Sequence, residues 1–140
     1  MSIFVDNKPI EMFDKTYLDC EFATLLSLAE ESLETAEGKQ HKYRQSVALL
    51  TAQGQQVTHA FCSDSVEELV EQNCALLSKL KSEGQTQIKK VVFMWADGSV
   101  DIPSFRFRKE MCALDPENYQ TEILLTALHG YVIKKAADLF

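Results

Sequence analysis

"IKKVVFMWADGSVDIPSFRFRKEM", residues 88–111, decides the fold. Residues 91–96 form an unbroken apolar run. The run is too short and too continuous for a surface helix, so it reads as a central strand covered on both faces. Asp97, Gly98 and Ser99 break it. The next segment is ambiguous: Phe107, Met111 and Leu114 fit a short helix, whereas the alternation of Phe105 to Arg108 fits a strand. Pro103 suits a helix entry and Asp115-Pro116 an exit, which favours the helix. A buried strand feeding directly into a helix is an α/β arrangement.

The same signals extend upstream. Ser65 and Glu68 have the spacing of a capping box, in which each side chain satisfies a free backbone N–H. The stripe Val66, Leu69, Val70, Cys74, Leu77 and Leu80 then runs at helical spacing and stops before Gly84. Asn73 sits within that stripe. A buried amide there needs partners, because an unsatisfied one costs about 1–3 kcal/mol. Residues 43–51 and 56–62 are strand-like runs around "AQGQ", an antiparallel hairpin. Phe22, Leu25, Leu26, Ala29, Leu33 and Ala36 predict an earlier helix that stops at Gly38. In "SIFVDNKPIEMF", apolar residues flank Asp6-Asn7, which suits a small hairpin with Pro9 on an edge.

Downstream, "TEILLTAL" and "YVIKKA" read as two strands joined at His129-Gly130. Helix, hairpin, helix, strand, helix, strand, strand makes a three-layer α/β/α sandwich on a mixed five-stranded sheet. Residues 19–140 form that domain and residues 1–18 an N-terminal extension. A chain of 140 residues, 46% of them hydrophobic, can bury a core without disulfides or a structural metal. A net charge of −7 argues against nucleic acid as a partner. Cys20, Cys62, Cys74 and Cys112 are scattered, with no C-x-x-C, and no apolar run approaches a membrane span. Free thiols in a cytoplasmic protein are the expectation, with no membrane association.

The element order and its local spellings resemble the cytidine deaminase family. "LLSLAEESLETAEGKQHKYRQSVALLTAQG" resembles that family's first helix and hairpin, and "LLSKLKSEG" with "IKKVVFMWAD" the end of its zinc helix and its central strand. "PSFRFRKEM" falls where the family has P-C-x-x-C-R-Q, and "TEILLTALHGYV" resembles its closing strands. The likeness covers residues 25–140 and rests on order and spacing rather than one motif.

The resemblance implies a fold whose chemistry needs three thiolate or imidazole ligands on zinc, a zinc-bound water and a carboxylate to move protons. Aligned without a gap from Gly84, Glu71 falls on a ligand position and Asn73 on the proton-shuttle position. A shifted alignment puts Cys74-Ala75 on the family's Cys-Ala pair, but Leu76 then replaces the glutamate. Ser104 and Phe107 take the other two ligand positions; a neutral hydroxyl is a poor zinc ligand and a phenyl ring none. The sugar-binding positions fall near Phe61 and Ser63, which do not reproduce the pattern. Arg108 matches the arginine after the second cysteine, and a buried charge needs a partner, so a Glu71–Arg108 pair is expected to fill the old metal site. Tyr43 matches an aromatic that packs on the base.

Plainer readings stand beside these. Asn73 reads as a satisfied core amide, and Cys62, Cys74 and Cys112 as ordinary buried thiols. His41, His59 and His129 read as surface or turn residues, and Trp95 as core. Arg106, Arg108 and Lys109 form either an anion site at a helix start or a solvated basic face. The functional expectation is a catalytically inactive relative of the deaminases, a binding or interaction module with no cofactor and no metal. Its remnant pocket of Tyr43, Glu71, Asn73, Ser104, Phe107 and Arg108 would suit a small anionic or nucleotide-like ligand. The resemblance further implies a homo-oligomer, dimer or tetramer, assembled through the helices around the site. The alternative is a divergent deaminase with a metal site rebuilt from Cys74, Cys112 and a histidine or glutamate. A third reading is a partner subunit that activates another enzyme.

Overall fold

The computed structural model describes residues 18–140 together with the backbone of residues 2–5 and 8–11. Strands β1 (Ser2–Val5) and β2 (Lys8–Glu11) pair antiparallel, with Phe4 opposite Pro9, as the expected small hairpin. Helix α1 (Cys20–Thr35) starts at Asp19, whose carboxylate accepts the Phe22 N–H at 2.8 Å. Then follow β3 (Tyr43–Thr51), β4 (Gln56–Ser63), α2 (Val66–Ser82), β5 (Ile88–Trp95), β6 (Val100–Asp101) and α3 (Phe105–Leu114). A 3₁₀ turn (Pro116–Gln120), β7 (Glu122–Ala127), β8 (Gly130–Lys135) and a last 3₁₀ turn (Ala136–Leu139) close the chain.

The main sheet runs β4-β3-β5-β7-β8, mixed because β5 and β7 are parallel and the other neighbours antiparallel. Those are the five strands expected. A sixth, the two-residue β6, pairs with β5 beside this path and brings the sheet to six; a two-residue strand carries no sequence period to reveal it.

Alternation along the central strands explains the apolar run that opened the sequence. Val47, Leu49, Val91, Phe93 and Ile123 pack with α2 and α3 on one face. Ala48, Leu50, Val92, Met94 and Leu124 pack with α1 on the other. Strand β5 is buried on both sides, so both parities must be apolar.

The ambiguous segment is helical, and Ser104 is its N-cap, with Oγ accepting the Phe107 N–H at 3.1 Å. Pro103 therefore precedes the cap instead of opening the first turn. At the end of α2, Gly84 at φ +74° lets the Gln85 N–H reach the Leu80 carbonyl and its own N–H the Lys81 carbonyl. That is a Schellman closure, which favours glycine. Two details of α2 differ from the sequence pattern. Val66 is exposed, whereas Leu76, outside the predicted stripe, is buried, because the apolar arc turns toward β4 further along the helix.

Candidate functional site

The residues singled out by the resemblance lie on α2, α3 and the start of β3, and each is held by local chemistry. At the start of α2 the Ser65 hydroxyl accepts the Glu68 N–H at 3.4 Å. The reciprocal half of the capping box is relayed: Ser63 donates its hydroxyl to Glu68 Oε2 at 2.9 Å and accepts the Ser65 N–H at 3.0 Å. Ser63, near a predicted sugar-binding position, is thus spent on the helix start. Phe61, near the other, is half-buried against the core.

Glu71 does not pair with Arg108. Its partner is Arg106, with Nη1 2.6 Å from Glu71 Oε1, and Arg106 Nε also reaches Glu110 Oε2 at 3.0 Å. All three side chains are about half exposed or more. The reason is helical geometry, since residues two apart point to different faces. Arg106 looks toward α2 while Arg108 looks toward the C-terminus. Arg108 donates Nε to the Pro103 carbonyl at 3.0 Å and Nη1 to the Leu139 carbonyl. Its guanidinium lies 5.7 Å from the Phe105 ring centre and 5.4 Å from that of Phe140. It ties the α3 start to the chain end by cation–π contact. Neither arginine belongs to a simple solvated basic face.

Phe107 is fully buried, its ring edge-on to Phe93 with centroids 4.7 Å apart. It is a core side chain of the α2–α3 face. Ser104 spends its hydroxyl on the α3 cap. Asn73 is 3% exposed and donates Nδ2 to Gln45 Oε1 at 2.9 Å. Its Oδ1 has no hydrogen-bond partner among the described residues, so it is only half of the satisfied core amide expected. Tyr43 is half-buried at the head of β3, with Lys42 Nζ 5.3 Å from its ring centre.

Cys20 is exposed, Cys62 half-buried, and Cys74 and Cys112 are buried, all four as free thiols. Burial, and next the Glu110 carboxylate beside it, push the Cys74 thiol up to about 12; burial also raises Cys112. His59 and His129 are exposed, and His41 Nδ1 sits 3.4 Å from Asp64. Among the described residues, no three His, Cys, Asp or Glu side chains come together as a metal site. The rebuilt site from Cys74, Cys112 and a third ligand is not assembled. At the positions the resemblance assigns to zinc, an ion-paired Glu71, a capping Ser104 and a core Phe107 do not fit the metal. Trp95, read as core, is half-buried, and its indole N–H reaches Asp101 Oδ2 at 3.1 Å.

Two polar features escaped the sequence. Gln45 is buried on β3 between Arg44 and Ser46, opposite the apolar Trp95 and Phe61. Lys90 is 5% exposed on β5, with Nζ 2.7 Å from Glu21, 3.3 Å from Glu122 and 3.9 Å from Asp19. Three surface grooves are lined by other residues than those predicted. One lies between α2 and α3 over Cys74, one beside the 3₁₀ turn at Asn118, and one between β4 and α2 at Phe61.

No family model matches the sequence, and no curated protein matches it at a significant level. Solved structures do match in shape. Cytidine deaminase from Mycobacterium leprae aligns with TM-score 0.62 at 18% identity, over 87% of this chain and 98% of that one. The enzyme from Burkholderia pseudomallei aligns with TM-score 0.62 at 15% identity, over 84% and 94%. That from Mycobacterium tuberculosis aligns with TM-score 0.58 at 18% identity, over 86% and 94%. No described helix is long and apolar enough to cross a membrane. Shared shape across nearly the whole of those chains, at this low identity, establishes the architecture: the chain has the cytidine deaminase fold.

Proposed function

We propose that this chain is a catalytically inactive protein on the cytidine deaminase fold, working as a binding or protein-interaction module. The carrying observation is Phe107. It occupies a position assigned to a zinc-binding cysteine, and it is fully buried edge-on against Phe93. A phenyl ring packed there contributes apolar burial worth about 2–3 kcal/mol and offers no lone pair to a metal. Ser104 as a helix cap and Glu71 as the ion partner of Arg106 support the same reading. Asn73 at the shuttle position supports it further, because an amide does not cycle a proton near neutral pH as a carboxylate does.

The module is a homo-oligomer in this reading, with residues 1–18 an extension to domain 19–140. A small anionic or nucleotide-like ligand stays within the proposal, with Arg108 already engaged by the Pro103 and Leu139 carbonyls and Asn73 by Gln45. The deciding experiment incubates the purified chain with zinc and cytidine and follows uridine by chromatography. No uridine above the enzyme-free rate is expected. Zinc-dependent turnover that chelation abolishes would overturn the proposal.

A further inference from the structure

Strands β4 and β8 are the two outer strands of the main sheet, and they are built differently. Strand β8 ends in Lys134 and Lys135, both exposed. Charged side chains, lysine above all, keep a foreign strand off an edge. Strand β4, "QVTHAFCS", has no Asp, Glu, Lys or Arg, and no proline or glycine. It carries none of the usual edge protection.

The backbone direction along β4 follows from the ladder. The Arg44 carbonyl is taken by Ala96 N–H after β5, while the Thr51 N–H bonds the Gln55 carbonyl before β4. Antiparallel strands alternate their bonding side from residue to residue. Since Arg44 lies opposite Cys62 and Leu50 opposite Gln56, the backbone groups of Gln56, Thr58, Ala60 and Cys62 face away from β3. The Cys62 carbonyl confirms that direction, because Gln72 Nε2 on α2 donates to it at 3.2 Å. That cap ends the outward row at Ala60, leaving Gln56, Thr58 and Ala60.

We propose that this edge is the seam of a symmetric homodimer, two β4 strands pairing antiparallel about a two-fold axis at Thr58 and continuing one sheet through both chains. A second copy is the occupant that the row fits. Under that axis Thr58 faces Thr58 and Gln56 faces Ala60, so every outward group of the row meets its complement. Each chain carries a net charge of −7, and β4 is a strand on which two such chains meet with no charged side chain in either. Pairing β4 with β8 instead would be head-to-tail and would set Lys134 and Lys135 along the seam. On the α2 side, Val57 would face His59 across the seam. Both would lie beside the groove of about 190 Å³ lined by His59, Phe61, Gln72, Ala75, Leu76 and Lys79. The inference is independent of whether the chain catalyses anything.

Sedimentation velocity over a dilution series tests it. The wild-type chain sediments as a dimer. Thr58→Lys, which sets two ammonium groups across the seam, raises the dissociation constant about 100-fold or more. Ala60→Pro removes an outward N–H and no bond to β3, so it melts like the wild type and still loses the dimer. Thr58→Cys gives a chain-to-chain disulfide on mild oxidation, because directly opposed hydrogen-bonded residues have Cα atoms about 5.5 Å apart. A wild-type monomer at every concentration would overturn the seam. So would a dimer whose dissociation constant neither Thr58→Lys nor Ala60→Pro moves, since that assembly would use another surface.

Discussion

Asn118 and Asn73 are both buried amides, 0% and 3% exposed, and they are used in opposite ways. Asn118 donates Nδ2 to the Thr86 and Met111 carbonyls, each at 2.8 Å, and accepts the Ile88 N–H at 2.8 Å. One side chain joins the entry to β5, the last turn of α3 and the 3₁₀ turn. Asn73 holds only Gln45, and its Oδ1 is left over. The first amide locks the fold; the second stands under α2, at the position where the deaminase resemblance expects chemistry. Asn118 ties three elements together, while Glu71, Ser104 and Phe107, at the positions the resemblance assigns to zinc, pair, cap and pack without converging on a centre.

The largest effect should follow Asn118→Ala. It strands one N–H and two carbonyls in the interior, so urea unfolding should show a loss of about 3–5 kcal/mol. A loss below 1 kcal/mol would break the contrast from the framework side.

Lys90→Ala comes next, at about 2 kcal/mol, because it leaves Glu21 and Glu122 facing each other beside a cavity. The same cluster sets a pH window. Burial alone would lower Lys90, but the Glu21 hydrogen bond and the charges of Asp19 and Glu122 outweigh it and hold Lys90 above its ordinary 10.5. Hydrogen bonds from Lys90 and Lys89 hold Glu21 below its ordinary 4.5. The Lys90 contribution is therefore complete below pH 10.5 and lost as pH rises further. The Glu21 contribution is complete above pH 4.5 and lost as pH falls further. The buried thiols Cys74 and Cys112, raised above their ordinary 9.0, bring a fall of their own above pH 9, so melting temperature should decline from there in the wild type, and Lys90→Ala should make the decline above pH 10.5 shallower.

Asn73→Leu should cost about 1–2 kcal/mol, since it leaves the buried Gln45 Oε1 without its donor while removing an acceptor that is itself unpartnered. A cost equal to that of Asn118→Ala would erase the difference between the two amides. Smallest of all, Arg106→Ala should leave stability almost unchanged, because the Glu71 and Glu110 pairs are half exposed and screened. Thermal melts at low and high salt would measure it.

The fold was readable because its signals are local and redundant. The continuous apolar run of β5, the Ser65 cap of α2 and the glycines after α1 and α2 each point the same way. The site was less readable. The choice between Arg106 and Arg108 as partner of Glu71 depends on which face of α3 meets α2, and two residues of spacing reverse it. Ser63 as a relay in the α2 cap, and Lys90 as the hub of three carboxylates, bring together residues far apart in sequence. No period marks such pairs; the one available hint for Lys90 was a lysine beside the apolar run of a strand read as doubly covered.

Metal content measures most directly whether side chains fill the position that the resemblance assigns to zinc. Freshly purified, untagged protein, dissolved and assayed for zinc by mass spectrometry, should contain far less than one zinc per chain while remaining folded by circular dichroism. One chelatable zinc per chain would contradict the account, because the side chains at Glu71, Ser104 and Phe107 could not then be what fills the site.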